Sequence, residues 1–212
     1  MSALTGLKAI ETVYNGYRFR SRLEARWAVF FDALAVKYQY EPEGFDLGPA
    51  GRYLPDFWLP DQKCWVEIKA VSPSKDEQAK ASALAAASGK NVFIFFNELI
   101  PPDIDTNWYV TDSAWMFDSS GGGDYHWLWC ECPFCGCVGI EFDGRSDRLS
   151  CKGCMECYYA DHAAECSQHG PDNRRGCDRV DGDKGYNPTS PRIVAAYAKA
   201  RGARFEFGER GR

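Results

Sequence analysis

Three things are scarce in this 212-residue chain: long apolar runs, an excess of positive charge, and cysteine ahead of residue 130. No apolar run is long enough to span a bilayer, and the opening stretch MSALTGLKAIETVYNG has no apolar core of the length a signal peptide needs. A cytoplasmic chain with no membrane partner is therefore expected. The formal net charge is -5, so composition gives none of the basic excess that marks most nucleic-acid-binding domains. Cys64 is the sole cysteine before Cys130, whereas nine of the ten fall between Cys130 and Cys177. In a reducing compartment such crowding reads as metal binding before disulfides.

What is present is a globular composition, with 45% hydrophobic, 15% aromatic and 26% charged residues, which excludes a disordered chain. The length suits one well-cored domain and a smaller module. Positive charge is local: Arg18, Arg20, Arg22 and Arg26 face the single acid Glu24, and the tail after Pro191 is also basic. Arg18, Arg20 and Arg22 are candidates for phosphate contacts, with ordinary surface charge as the alternative.

The Ser/Gly-rich stretch SSGGGD marks a linker over residues 119–124, because cysteine is rare before it and dense after it. It separates a first domain, 1–118, from a Cys-rich module, 125–188, which is followed by a C-terminal helix and basic tail, 189–212. Within the first domain, Asn15-Gly16 between alternating segments predicts a hairpin. Leu23, Trp27, Phe30 and Leu34 have helical spacing. KYQYEPEGFDL, RYLPDFWLP and CWVEIKAV read as three extended pieces, SKDEQAKASALAAAS as a helix ended by Gly89, and NVFIFF as a buried strand. NWYVTDSAWMFD is expected to add strand at the sheet edge. Thr189 or Ser190 can cap a last helix with Pro191 in its first turn, and Ile193, Val194 and Tyr197 on its apolar side.

One strand carries a conflict. In CWVEIKA, alternation puts Trp65, Glu67 and Lys69 on one face and Val66, Ile68 and Ala70 on the other, so two charges sit inside an apolar segment. Leu54, Asp56 and Trp58 share a face in the preceding segment. If the two strands pair with these faces aligned, Asp56, Glu67 and Lys69 converge. Desolvated charge is costly without partners, and a hard divalent cation such as Mg²⁺ or Mn²⁺ would relieve it. The lysine could then orient or activate water, or steady charge growing on phosphorus. Such parts make a phosphodiester hydrolase.

LPDF followed by VEIK resembles the signature of the PD-(D/E)XK nuclease superfamily, with Pro55-Asp56 and then Glu67, one residue and Lys69. The order helix, three strands, helix, strand is similar to that superfamily's core. YRFRSRLEARWAVFFDAL ahead of these motifs resembles the branch holding Holliday-junction resolvases, mismatch-nicking endonucleases and transposon-end nucleases. Small bacteriophage proteins also look similar across most of the chain, which would place the protein in a host cytoplasm. The resemblance, over roughly residues 14 to 97, implies an α/β fold with a restriction-endonuclease-like αβββαβ core and mixed sheet. It also implies a Mg²⁺-dependent DNA endonuclease in which Asp56 and Glu67 hold metal, Lys69 acts on water and Glu24 completes the acidic cluster. SRLE is equally a capping box, in which Ser21 caps the helix and Glu24 reaches back. Homodimerisation would suit cleavage of two strands. A catalytically silent DNA- or protein-binding factor is the alternative on the same fold.

In the Cys-rich module, Cys132 and Cys135, then Cys151 and Cys154, form two C-x2-C knuckles spaced as in a four-cysteine zinc ribbon. Cys130, Cys137, Cys157, Cys166, Cys177, His162 and His169 remain, enough for a second Zn²⁺ or for exchange of ligands. An iron-sulfur cluster of an exonuclease is the rival, although cysteines of that kind bracket a nuclease core and these do not.

Overall fold

A computed structural model describes residues 9–97, 99–101, 114–131, 136, 138–142 and 188–205. Short-range signals set the first elements. β1 (Thr12–Tyr14) and β2 (Tyr17–Phe19) pair antiparallel through Asn15-Gly16, whose φ values of 47° and 82° are the left-handed pair that a two-residue hairpin turn requires. Ser21 then caps α1 (Arg22–Leu34) by accepting from the Glu24 amide, and Ala35, at φ 58°, ends it. The helix buries Trp27, Phe30, Phe31 and Leu34 on one side.

The expected three strands are divided more finely. They become β3 (Gln39–Tyr40), β4 (Phe45–Asp46), β5 (Arg52–Tyr53), β6 (Phe57–Leu59) and β7 (Cys64–Lys69). β4 and β5 form a separate two-stranded ribbon, with a 3-10 turn at Gly48–Ala50 between them. A capping box of Ser74 and Glu77 and a left-handed Gly89 bound α2 (Lys75–Ser88), and β8 (Val92–Phe96) follows. Then come β9 (Ala114–Phe117), β10 (Gly123–Glu131), β11 (Val138–Phe142) and α3 (Pro191–Gly202), capped by Ser190.

Seven strands form one mixed sheet in the order β11-β10-β9-β8-β7-β6-β3, with β7 and β8 parallel and the other pairs antiparallel. α2 is the crossover that a parallel pair needs, and it buries Ala81, Leu84 and Ala85 against Trp65, Val92, Ile94 and Phe117 on one face. α1 and α3 cover the other face over Phe57, Val66, Phe95 and Trp129. Trp27 meets Phe95 at 4.8 Å between ring centroids, and Phe30 meets Tyr197 of α3 at 4.5 Å. The described part is thus an α/β arrangement with three helices among its described residues. None of its described helices is long and apolar enough to cross a membrane.

Several expectations change. Residues 119–124 are no linker: Asp118 Oδ1 accepts from the Ser120 and Gly122 amides, 2.9 and 3.2 Å away, and the Ser/Gly content serves a tight turn between β9 and β10. Residues 125–131 and 138–142 accordingly extend the main sheet rather than open a separate module. β9 lies inside the sheet between β8 and β10, not at its edge. On α3, Val194 is exposed, and Ala196 and Ala200 join Ile193 and Tyr197 in the core. Arg192 of the basic tail is a structural tie, donating to the Leu34 carbonyl at 2.8 Å and the Gly136 carbonyl at 2.9 Å.

Candidate active site

The hairpin of β6 and β7 places the charged residues. Its register pairs Leu59 with Cys64, Trp58 with Trp65 and Phe57 with Val66, so the next step outward sets Asp56 against Glu67. Val66 and Ile68 sink into the core below while Trp65, Glu67 and Lys69 share the other face. The carboxylates cross over. Asp56 Oδ2 accepts from the Ile68 amide at 2.7 Å, and Glu67 Oε2 accepts from the Asp56 amide at 3.3 Å. The Tyr53 hydroxyl donates to Glu67 Oε2 at 3.1 Å. Lys69 Nζ stands 2.8 Å from Glu67 Oε1 and 3.0 Å from Glu77 Oε1. Asp56 Oδ1 takes part in none of these bonds.

Glu77 arrives from α2. The capping box fixes it: its Oε2 accepts from the Ser74 amide at 2.8 Å, leaving Oε1 turned to Lys69. The site therefore sits where the parallel strands β7 and β8 end and α2 begins, the usual ligand position in α/β sheets. An open cleft of about 720 Å³ lies over it, walled by Tyr53, Glu67, Lys69 and Glu77, with Arg20, Arg52 and Lys80 supplying positive charge. Asp56 is behind this wall, only 7% exposed.

Burial dominates the electrostatics of the site. Burial, then repulsion from Glu67 and Glu24, holds the Asp56 carboxyl well above its ordinary range despite the Ile68 amide and Lys69. Burial likewise raises Glu67, against the opposing pull of Lys69 and Tyr53. Burial pushes Lys69 down, but Glu67 and Glu77 outweigh it and keep the ammonium charged to unusually high pH. Burial pushes Glu77 up, yet the Ser74 amide and Lys69 outweigh it, so this carboxyl stays below its usual range. Burial also raises the Tyr53 phenol, next to Glu67.

Asp56, Glu67 and Lys69 are thus brought together. Glu24 is buried near enough to act on Asp56 by charge, but its oxygens are occupied: Oε1 accepts from the Ser21 hydroxyl at 2.7 Å, and Oε2 from Tyr40 at 2.6 Å and the Arg20 amide at 3.1 Å. Ser21 caps the helix through the Glu24 amide at 3.2 Å, but the carboxylate takes the Arg20 amide rather than that of Ser21, so the capping box is only half formed. Arg20 reaches the cleft and pairs with Glu41 at 2.8 Å; Arg18 turns away to Glu11; Arg22 opens α1. Gln78 donates to the Pro73 carbonyl at 2.9 Å, a local bond. Glu77 and Tyr53 were not singled out from sequence. The SxxE pattern of Ser74 and Glu77 was the available signal for the first, but it announces only a cap.

Among the described residues, no group of three or more His, Cys, Asp or Glu side chains stands ready to hold a metal ion. Cys132, Cys135, Cys151 and Cys154 lie outside the described residues, as do Cys137, Cys157, Cys166, Cys177, His162 and His169. Cys130 is described, and it is a core residue of β10, fully buried with its thiol on the Leu128 carbonyl. Comparison with protein families, curated protein sequences and solved structures finds no match for this chain.

Proposed function

We propose that this protein is a Mg²⁺-dependent endonuclease hydrolysing phosphodiester bonds in DNA, built on a restriction-endonuclease-like core of the PD-(D/E)XK kind. The observation that carries this reading is the meeting of Asp56, Glu67 and Lys69 beside a cleft with Arg20, Arg52 and Lys80 on its walls. Two carboxylates short of a full cage fit Mg²⁺ or Mn²⁺, which take one or two protein carboxylates and complete their shell with water and substrate phosphate. Asp56 Oδ1 and the oxygens of Glu67 are the donors on offer. A divalent cation bound there would offset charge growing on phosphorus and make water a better nucleophile.

The chain's own groups do the rest. Lys69, held cationic by Glu67 and Glu77, donates hydrogen bonds that orient the attacking water or a non-bridging phosphate oxygen; a lysine so strongly charged is not a base. Glu77 Oε1, kept ionised, is the acceptor for the proton that water loses. Arg20, Arg52 and Lys80 hold flanking phosphates. Glu24 acts as a positioning residue, fixing α1 beneath Asp56 and adding its charge to the cluster. Cys132, Cys135, Cys151 and Cys154 would hold Zn²⁺ in a segment that helps grip DNA.

Purified protein should cut or nick linear, branched or single-stranded DNA with Mg²⁺ or Mn²⁺. Asp56→Ala and Lys69→Ala should each lower the rate at least about 100-fold, the scale of losing one electrostatic contributor at a reacting centre. A variant as active as wild type refutes the assignment. The second reading, a binding protein without turnover, draws on the engagement of both Glu67 oxygens. It predicts DNA affinity with no heat of Mg²⁺ binding in a calorimetric titration.

A further inference from the structure

Next to the catalytic cleft is a second one, of about 470 Å³, in the size range of small-molecule sites. Phe45, Trp58 and Trp65 line it, with Glu43 and Lys90 on the rim. Phe45 belongs to the walls of both clefts, so the two adjoin at one side chain. The three rings come from different strands. Trp58 and Trp65 are direct cross-strand partners with centroids 4.7 Å apart, and Phe45 of the β4–β5 ribbon meets Trp65 edge-on at 5.2 Å and 80°.

Packing alone does not account for Trp65. It is 5% exposed, yet its indole N–H is buried without a hydrogen-bond partner. A buried unpaired donor is costly, so Trp65 is kept at this position against a penalty. Trp58 is half-buried and offers ring surface to the cleft. Trp65 and Glu67 lie two residues apart on one face of β7, roughly 6.6 Å by strand rise, so a group held here is a near neighbour of one held at the carboxylates. The occupant should be flat, apolar on its faces and attached to an anion.

We infer that this cleft is a nucleobase subsite, taking one unpaired base of a strand whose phosphate lies in the adjoining catalytic cleft. The inference rests on the nuclease reading and narrows its substrate class to DNA with single-stranded or unpaired nucleotides at the cut position. A base locked in a continuous duplex has both faces stacked and its edge paired, and it cannot enter. An apolar peptide side chain would fill the space but make no use of Lys90 or the basic walls next door.

The test is affinity for a short labelled oligothymidylate and for a matched blunt duplex, by fluorescence anisotropy in EDTA so that neither is cut. Wild type should prefer the single strand. Trp58→Ala should lower the ratio of single-strand to duplex affinity about ten-fold, the usual effect of losing one base–aromatic stack, and Trp58→Phe should restore most of it. Since Trp58 is half-buried, Lys90→Glu at an exposed position is the second variant, expected to weaken oligothymidylate binding about three-fold. Preference for duplex, or oligothymidylate binding unchanged in both Trp58→Ala and Lys90→Glu, overturns the inference. Trp58-dependent binding without cleavage of any DNA upholds the subsite and refutes the nuclease reading. Cleavage equally fast on duplex and single strand, and unaltered by Trp58→Ala, upholds the nuclease and overturns the subsite.

Discussion

At the scale of single residues, the cost of the site is concentrated on Asp56. Its burial beside Glu67 and Glu24 raises the folded carboxyl well above its range in an unfolded chain. The linkage has a definite sign. An acid with a raised folded pKa binds its proton more tightly when folded, so stability falls as pH rises from the unfolded value, about 3.9, through the folded one. Asp56→Asn should therefore stabilise the protein at pH 7 by about 0.5–2 kcal/mol while abolishing cleavage, the trade-off expected where function needs an unfavourable group. Urea denaturation should show the gain at pH 7 and its disappearance near pH 3; a variant less stable than wild type at pH 7 would refute the account. Much at this scale could be read in advance. Strand alternation placed Glu67 and Lys69 on one face, and the pairing of LPDF with VEIK put Asp56 opposite. Tyr53 and Glu77 could not be read, because nothing local says that a ribbon and a helix N-terminus will close over β7.

At the scale of elements, α2 ties the site to helix formation. Ser74 accepts from the Glu77 amide at 3.3 Å while Glu77 Oε2 takes the Ser74 amide, and the other oxygen of the same carboxylate is what Lys69 meets. Ser74→Ala should cost about 1 kcal/mol of stability, as cap removals do, and should also loosen Glu77 and slow cleavage several-fold. Thermal unfolding and initial rates measure the two effects; a stability loss with an unchanged rate would remove Glu77 from the chemistry. Elements with local signals were legible for the same reason: Asn15-Gly16, Ser21, Ser74, Gly89 and Ser190 each mark an end through their own backbone chemistry. β3 to β6 were not, since strands of two or three residues owe their existence to pairing rather than to a run of their own. SSGGGD misled because glycine and serine serve a tight hairpin turn as well as a linker.

At the scale of the whole molecule, the described C-terminal segments are part of the same core as the site. β10 and β11 continue the sheet, and α3 lies on α1, with Tyr197 fully buried against Phe30 and Trp27. Arg192 adds a second link by taking the Leu34 carbonyl that α1 leaves unsatisfied at its end. Sequence position thus misstates spatial order: residues 188–205 support the helix that carries Glu24, although residues 143–187 separate them from β11. The consequence is cooperative. Tyr197→Ala opens a cavity at the α1–α3 contact and should cost about 3–5 kcal/mol, the range for truncating a large core aromatic. The loss should appear in a single transition that also carries the tryptophan fluorescence of the sheet, because Trp27 and Trp129 share that core. Two separate transitions, with only the weaker one moved by Tyr197→Ala, would mean that α3 folds apart from the sheet and that the site does not depend on it.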